Sequence, residues 1–224
     1  MCQSNFLKQT LFCALVALIG FALPTKSDAQ IARFDSNLGS FDVQLFGNQT
    51  PATVANFLFY LNNGDYDGSI IHRSVPGFVV QGGGFNSDLS PIPTAPPVIN
   101  EPGISNTRGT IALARVGGQP NSGTNQFFFN VDDNLFLDGV DGGFTVFGEV
   151  LGNGLEILDE INALTTANIG APFDELPVLD TALPPTVDPD EVVLFSSITI
   201  VPEPSCLGLL LLSSTFFAAR RRRV

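Results

Sequence analysis

In this 224-residue chain, two residues able to do chemistry stand close together in an apolar setting. The stretch IHRSVPGFVVQGGGF, Ile71 to Phe85, carries Arg73 and Gln81 among apolar neighbours, just ahead of Gly82, Gly83 and Gly84. The eight-residue separation of Arg73 and Gln81 is even, so an extended chain places both on one side, and Val79 with them. Two polar donors then share a face with an apolar residue, which is the composition of half an active site. The three glycines allow the strand-like run Gly77 to Gln81 to end in a sharp bend where no Cβ is tolerated, followed by close chain approach.

Two further stretches belong with the first. Gly109 to Asn130 contains a small-residue strand, a Gly/Asn/Ser loop, and then Gln126, Phe127, Phe128 and Phe129 in succession. The third is Phe136-Leu137-Asp138-Gly139, followed by Phe144-Thr145-Val146-Phe147-Gly148. Asp132, Asp133, Asp138 and Asp141 lack the order and the terminal Glu of a calcium loop, so they read as a turn-rich acidic loop. No metal site and no cofactor is expected.

Composition narrows the classes. The net charge is −12, and between Gln30 and Val201 the basic side chains are Arg33, Arg73, Arg108 and Arg115, while the acidic residues fall almost entirely in that body. Such a surface repels phosphates, which excludes a nucleic-acid partner. Cys2, Cys13 and Cys206 all lie towards the ends, so the body holds no disulfide framework or thiolate metal site. Twenty phenylalanines supply core for one well-packed domain.

The elements that must position Arg73 and Gln81 follow from periodicity. Ala32 to Ser36 and Ser40 to Phe46 alternate around Asn37-Leu38-Gly39, predicting a hairpin with Phe34, Phe41, Val43 and Leu45 inward. Thr50 as N-cap and Pro51 at the first position start a helix with a stripe of Val54, Phe57, Leu58 and Leu61, ended by Asn62-Asn63-Gly64. Asp88 to Pro102 is a proline-rich ordered loop without a regular ladder. Thr110 to Arg115, Phe127 to Val131 and Phe144 to Val150 read as strands, and Leu155, Leu158 and Ile161 mark a second helix after Gly154. Thr165 to Asp190 is aperiodic, either a decorated loop or a partly mobile one, and Glu191 to Val201 is the closing strand.

The two ends differ from the body. Met1 to Ala29 reads as a secretory signal, with Lys8, an apolar run from Leu11 to Leu23, and a small-residue site at Ser27-Asp28-Ala29. The character changes at Val201-Pro202-Glu203-Pro204-Ser205, and the tail, residues 202–224, continues with the apolar run Cys206 to Ala219 and four arginines. It resembles the PEP-CTERM sorting signal of Gram-negative bacteria, which implies an exosortase-type sorting enzyme as partner and delivery to the periplasm, outer surface or extracellular matrix. A plain C-terminal membrane anchor is the alternative, and on either reading the run is a transmembrane segment.

Taken in order, the three central stretches resemble the cyclophilin family of peptidyl-prolyl cis-trans isomerases, over about Ile31 to Val201. The resemblance implies a mainly β fold, a closed eight-stranded antiparallel barrel capped by two α-helices, in a domain spanning 30–201 that works as a monomer on proline-containing polypeptide clients. By resemblance Arg73 is the catalytic arginine that donates toward the prolyl nitrogen, and Gln81 supports it. Phe78, Val79, Phe128, Leu137 and Phe144 line the proline pocket, and Phe136 joins them. Ala114 and Arg115 offer backbone groups to the residue before proline. Val79 replaces a usual methionine, Phe136 a tryptophan, Phe144 a histidine and Arg115 an asparagine, which alters the expected cyclosporin affinity and substrate preference. With its acidic surroundings, Arg115 has the alternative of pairing with Asp or Glu. His72 reads as a hydrogen-bonded neighbour of Arg73, because isomerisation moves no proton. The other functional reading is a proline-binding cell-surface or matrix module with incidental or no turnover.

Overall fold

The period-2 segments IARFDS and GSFDVQL form strands β1 (Ile31–Ser36) and β2 (Gly39–Leu45), paired antiparallel, with Phe34, Phe41, Val43 and Leu45 buried as the alternation predicts. The structure, a computed structural model, describes residues 30–179 and 189–202. Helix α1 (Pro51–Asn63) begins at Pro51, which has no N–H to leave unpaired, and stops at Gly64, whose φ of 74° is left-handed. Thr50 occupies the N-cap position but makes no cap bond: its hydroxyl donates to the Phe46 carbonyl. The carboxylate of Glu101 takes over, accepting from the N–H groups of Ala52 at 3.2 Å and Thr53 at 2.9 Å. A full negative charge suits the positive end of a helix better than a hydroxyl.

Val54 and Phe57 are buried as expected, but Thr53, Asn56 and Tyr60 complete the buried face, and Leu58 and Leu61 only pack partly against the core. The helix face is turned by two polar anchors: Asn56 donates to the Thr124 carbonyl, and the Tyr60 hydroxyl accepts from the Ala95 N–H.

The remaining elements are β3 (Ser69–Val75), β4 (Val79–Asn86), β5 (Thr110–Leu113), β6 (Phe127–Asn130), 3-10 turns at Leu135–Asp138 and Val140–Gly142, β7 (Val146–Val150), α2 (Gly154–Asn162), β8 (Thr166–Ala167), β9 (Leu176–Pro177), a 3-10 turn at Pro189–Glu191 and β10 (Phe195–Ile200). Eight strands form one antiparallel sheet in the order β10-β1-β2-β7-β5-β6-β4-β3. Its ends approach each other where the N–H of Gly68 donates to Phe195 O at 2.8 Å and that of Ile71 to Val193 O at 2.9 Å, giving the nearly closed barrel with two helices that the resemblance implies. Phenylalanine fills it: Phe34 stacks on Phe41 at 5.2 Å and meets Phe127, Phe129 and Phe195 edge-on. In α2, Leu158 and Ile161 are buried and Leu155 packs partly against the core.

Three expectations need correction. The glycines do not end a strand: β4 runs through Gly82, Gly83 and Gly84 to Asn86. They are there for close approach, since a Cβ would meet Ile71 at Gly82, Phe127 and the Asn125 carbonyl at Gly83, and Gln126 at Gly84, all under 3.0 Å. The segment from Thr165, aperiodic and expected as a decorated or partly mobile loop, carries two paired strands, since β8 and β9 form a small hairpin whose Leu176 and Val178 are buried with Ile70. Finally, the expected transmembrane segment finds no counterpart among the described residues, where no helix is long and apolar enough to cross a membrane. The leader, residues 1–29, the tail from residue 203 and residues 180–188 lie outside the described residues.

Candidate active site

Cross-strand register assembles the site. Arg73 on β3 lies opposite Gln81 on β4, Gln81 opposite Phe128 on β6, Phe128 opposite Ala112 on β5, and Ala112 opposite Val146 on β7. Residues directly opposite in antiparallel pairs share a face, so this row points one way across five strands. Arg73 and Gln81 therefore do share a side, but through pairing of two strands about the turn at Pro76 to Phe78, not along one extended run. Phe127 and Phe129 point into the barrel core, and Phe128, between them, points out.

Over this row lies a cleft of about 220 Å³ lined by Arg73, Phe78, Val79, Gln81, Ala114, Arg115, Phe128, Leu137 and Phe144. All but one of the residues singled out from the sequence meet there. The exception, Phe136, sits beside it, largely exposed, with its ring stacked on Phe78 at 5.7 Å. Strands β5 and β7 are shorter than the periodicity predicts. Their ladder shifts register at Ile111/Ala112, and after a bond from Leu113 N to Thr145 O the chain leaves the sheet, which frees Ala114, Arg115 and Phe144 to turn into the cleft. The N–H of Ala114 is already engaged by the Gln126 carbonyl at 2.9 Å.

A buried amide network holds the apolar walls. Asn134 donates to the carbonyl of Phe78 and to Asn130 Oδ1, while Asn130 donates to Asn106 and Thr110. Asp138 accepts from Ser105 and from the Asn106 backbone and side chain, and these bonds draw its carboxyl below the usual range against the opposing effect of burial. From the other side, Asn162 at the end of α2 donates to Ser74 Oγ and Val75 O and accepts from Gly77 N, clamping the β3–β4 turn. In the sequence the one signal for these asparagines is amide side chains embedded in apolar segments, which does not distinguish them from loop residues. The acidic loop has local uses: Asp133 accepts from the Arg108 N–H and Asp141 from the Gly118 N–H.

The polar groups of the cleft are arranged differently from the expectation. The amide of Gln81 donates to Gln126 Oε1 at 2.9 Å, and the Arg73 Nε pairs with Glu175 Oε2 at 2.8 Å. The Arg115 side chain is 2 % exposed, lies 4.1 Å over the Phe144 ring, and gives Nη2 to the carbonyls of Val140 and Gly143. Its Nη1 is 3.8 Å from Asp141, and among the described residues neither Nη1 nor Nε has a hydrogen-bond partner. His72 is buried behind the site against Phe85, and burial, with the charge of Arg73 beside it, pushes its pKa down to about 4. It is neutral at pH 7. The cleft thus offers a ring-sized apolar floor, one amide and two guanidinium groups, that of Arg73 paired with Glu175 and that of Arg115 laid over Phe144.

Comparison with known proteins agrees with this geometry. Residues 31–182 match the model of the cyclophilin type peptidyl-prolyl cis-trans isomerases. The chain is 45% identical over 146 residues to peptidyl-prolyl cis-trans isomerase A of Dickeya dadantii, covering 63% of this chain and 75% of the relative. It is 37% identical over 174 residues to peptidyl-prolyl cis-trans isomerase B of Escherichia coli, covering 75% of this chain and 97% of the relative. Among solved structures, a cyclophilin type isomerase of Cryptosporidium parvum superposes with a TM-score of 0.58 at 23% identity, over 79% of this chain and 99% of that one. The barrel, the outward row from Arg73 to Phe128 and these matches together make the chain a member of the cyclophilin-type peptidyl-prolyl cis-trans isomerase family.

Proposed function

We propose that the chain isomerises X-Pro bonds of exported proteins by non-covalent stabilisation of the twisted peptide, with Arg73 donating to the prolyl nitrogen. The observation that carries this is the position of Arg73 on the wall of an apolar cleft whose floor is Phe128. Rotation about the bond must cross a barrier of about 20 kcal/mol set by amide resonance. In the reading offered here, the proline ring sits on Phe128 between Val79, Leu137 and Phe144, and Gln81 with the Ala114–Arg115 segment holds the chain on either side. As the bond twists, the nitrogen lone pair localises and becomes an acceptor. A donor that finds its acceptor only in that state raises the rate without tightening ground-state binding. Arginine suits the task because it keeps its charge beside apolar walls and presents its donors in a rigid plane.

The Cryptosporidium parvum protein has also been solved in the presence of the dipeptide Ala-Pro, which supports proline-containing polypeptides as clients here. The signal-like leader and the PEP-CTERM-like tail support clients on the exported side, in the periplasm, at the outer surface or in the extracellular matrix of a Gram-negative bacterium, with an exosortase-type enzyme acting on the tail. The test is exchange NMR of X-Pro tetrapeptides with the full chain, beside Arg73→Ala. The expected outcome is acceleration by the wild type and a loss on the order of 10²–10³-fold in the variant, with unchanged circular dichroism. A folded wild type that accelerates none of several peptides points instead to a proline-binding surface module.

A further inference from the structure

Arg73 has to be held still to act, and the amide expected to hold it is occupied elsewhere: Gln81 donates to Gln126. The partner the structure gives the Arg73 side chain, among the described residues, is Glu175, Nε to Oε2 at 2.8 Å. This carboxylate sits on a fixed platform. Its own carbonyl accepts from the N–H of Ser74, the residue after Arg73, at 2.8 Å, so β9 lies along the edge of β3. On one side of it Phe173 packs edge-on against Phe85 at 4.8 Å. On the other, Leu176 and Val178 are fully buried beside Ile70 and Val192, and Val178 N donates to Thr165 O.

We infer that Glu175 is a positioning residue for Arg73, which would make the β8–β9 hairpin a working part of the catalytic apparatus. The inference rests on the reading of the cleft as the isomerase site. An arginine side chain has several freely rotating bonds, and a donor that must meet a transient acceptor loses effectiveness if it reorganises at that moment. An ion pair at Nε tethers the guanidinium from the side and leaves its two terminal nitrogens for the cleft. A carboxylate also counters the positive charge, so mere electrostatics predicts that its removal strengthens Arg73. The positioning account predicts the reverse.

The experiment uses the full chain with Glu175→Ala, Glu175→Asp, Arg73→Ala and the Arg73→Ala/Glu175→Ala double variant. Glu175→Ala is expected to lower the isomerisation rate by roughly ten- to a hundredfold, the scale of a misplaced catalytic group, while the peptide dissociation constant from NMR titration stays within about twofold. Glu175→Asp, which keeps the charge, recovers part of the rate. In the Arg73→Ala background, removing Glu175 costs nothing more, because both changes disable one unit. Independently of activity, the Arg73 Nε–H vector is expected to be ordered in the wild type and mobile in Glu175→Ala, read by side-chain nitrogen relaxation. An unmoved or raised rate in Glu175→Ala, additive losses in the double variant, or an unaltered order of the Arg73 Nε–H vector each overturns the assignment while leaving the isomerase reading intact. A wild type without acceleration overturns both.

Discussion

Gly83→Ala tests whether the glycine run exists for close approach inside a strand. At Gly83 φ is +77°, and a Cβ would lie 2.6 Å from Cε1 of Phe127 and 2.8 Å from the Asn125 carbonyl oxygen. Two costs combine. A left-handed conformation costs an L-residue about 1 kcal/mol. Overpacking costs about 1–3 kcal/mol where the neighbours cannot give way, and here they are a backbone carbonyl and a ring buried in the barrel core. The expected loss is about 2–4 kcal/mol. Two other glycines separate the terms. Gly118 has φ +74° and Gly117 an ordinary φ, and neither has any atom within 4 Å of its ideal Cβ. Gly118→Ala then carries only the conformational cost, about 1 kcal/mol, and Gly117→Ala is neutral or stabilises by up to about 1 kcal/mol through the unfolded chain. Urea unfolding at constant m-value measures all three. Equal losses for Gly83→Ala and Gly118→Ala would refute the crowding argument, and a Gly83→Ala variant as stable as the wild type would refute the whole account of β4.

Two further outcomes follow from buried and capping groups. His72 stays neutral in the folded protein down to about pH 4, whereas the unfolded chain protonates it near 6.5, so between these values the unfolded state binds more protons. Stability therefore rises with pH across that window, and the difference, fully present above pH 6.5, amounts to about 3 kcal/mol lost on reaching pH 4. His72→Gln should flatten the stability profile of the wild type by that amount in denaturant titrations at stepped pH, and parallel profiles would show that burial does not hold the imidazole neutral. Glu101→Ala strips the carboxylate from the N–H groups of Ala52 and Thr53 and is expected to cost about 1–2 kcal/mol, with faster amide exchange confined to the first turn of α1. Unchanged exchange there would return the capping role to Thr50.

The barrel and its site were legible in unequal degree. The β1–β2 hairpin, both helices and the closing strand follow from local signals: alternation around Asn37 to Gly39, Pro51 and Gly64 bracketing an apolar stripe, and period 3.6 after Gly154. The chemistry-bearing residues were legible because the resemblance of three separate stretches carries residue types at fixed places. Within the stripe of α1 the sequence pointed to Leu58 and Leu61 where Asn56 and Tyr60 are buried, since helical periodicity finds a face only to within the width of one residue.

By itself the sequence determined an acidic body between Gln30 and Val201 with four arginines and no basic stripe, a supply of phenylalanine for its core, and a set of apolar residues around one arginine and one glutamine. Only the tertiary structure decided how that set is held. The row from Arg73 to Val146 depends on the register of four strand pairs, and register is set by packing and turns far along the chain. The ion pair of Arg73 with Glu175, like the clamp of Asn162 on the β3–β4 turn, joins residues with no local relation in sequence. Their partners are chosen by where the barrel folds the chain back on itself, and no short-range pattern of residue types encodes that distance.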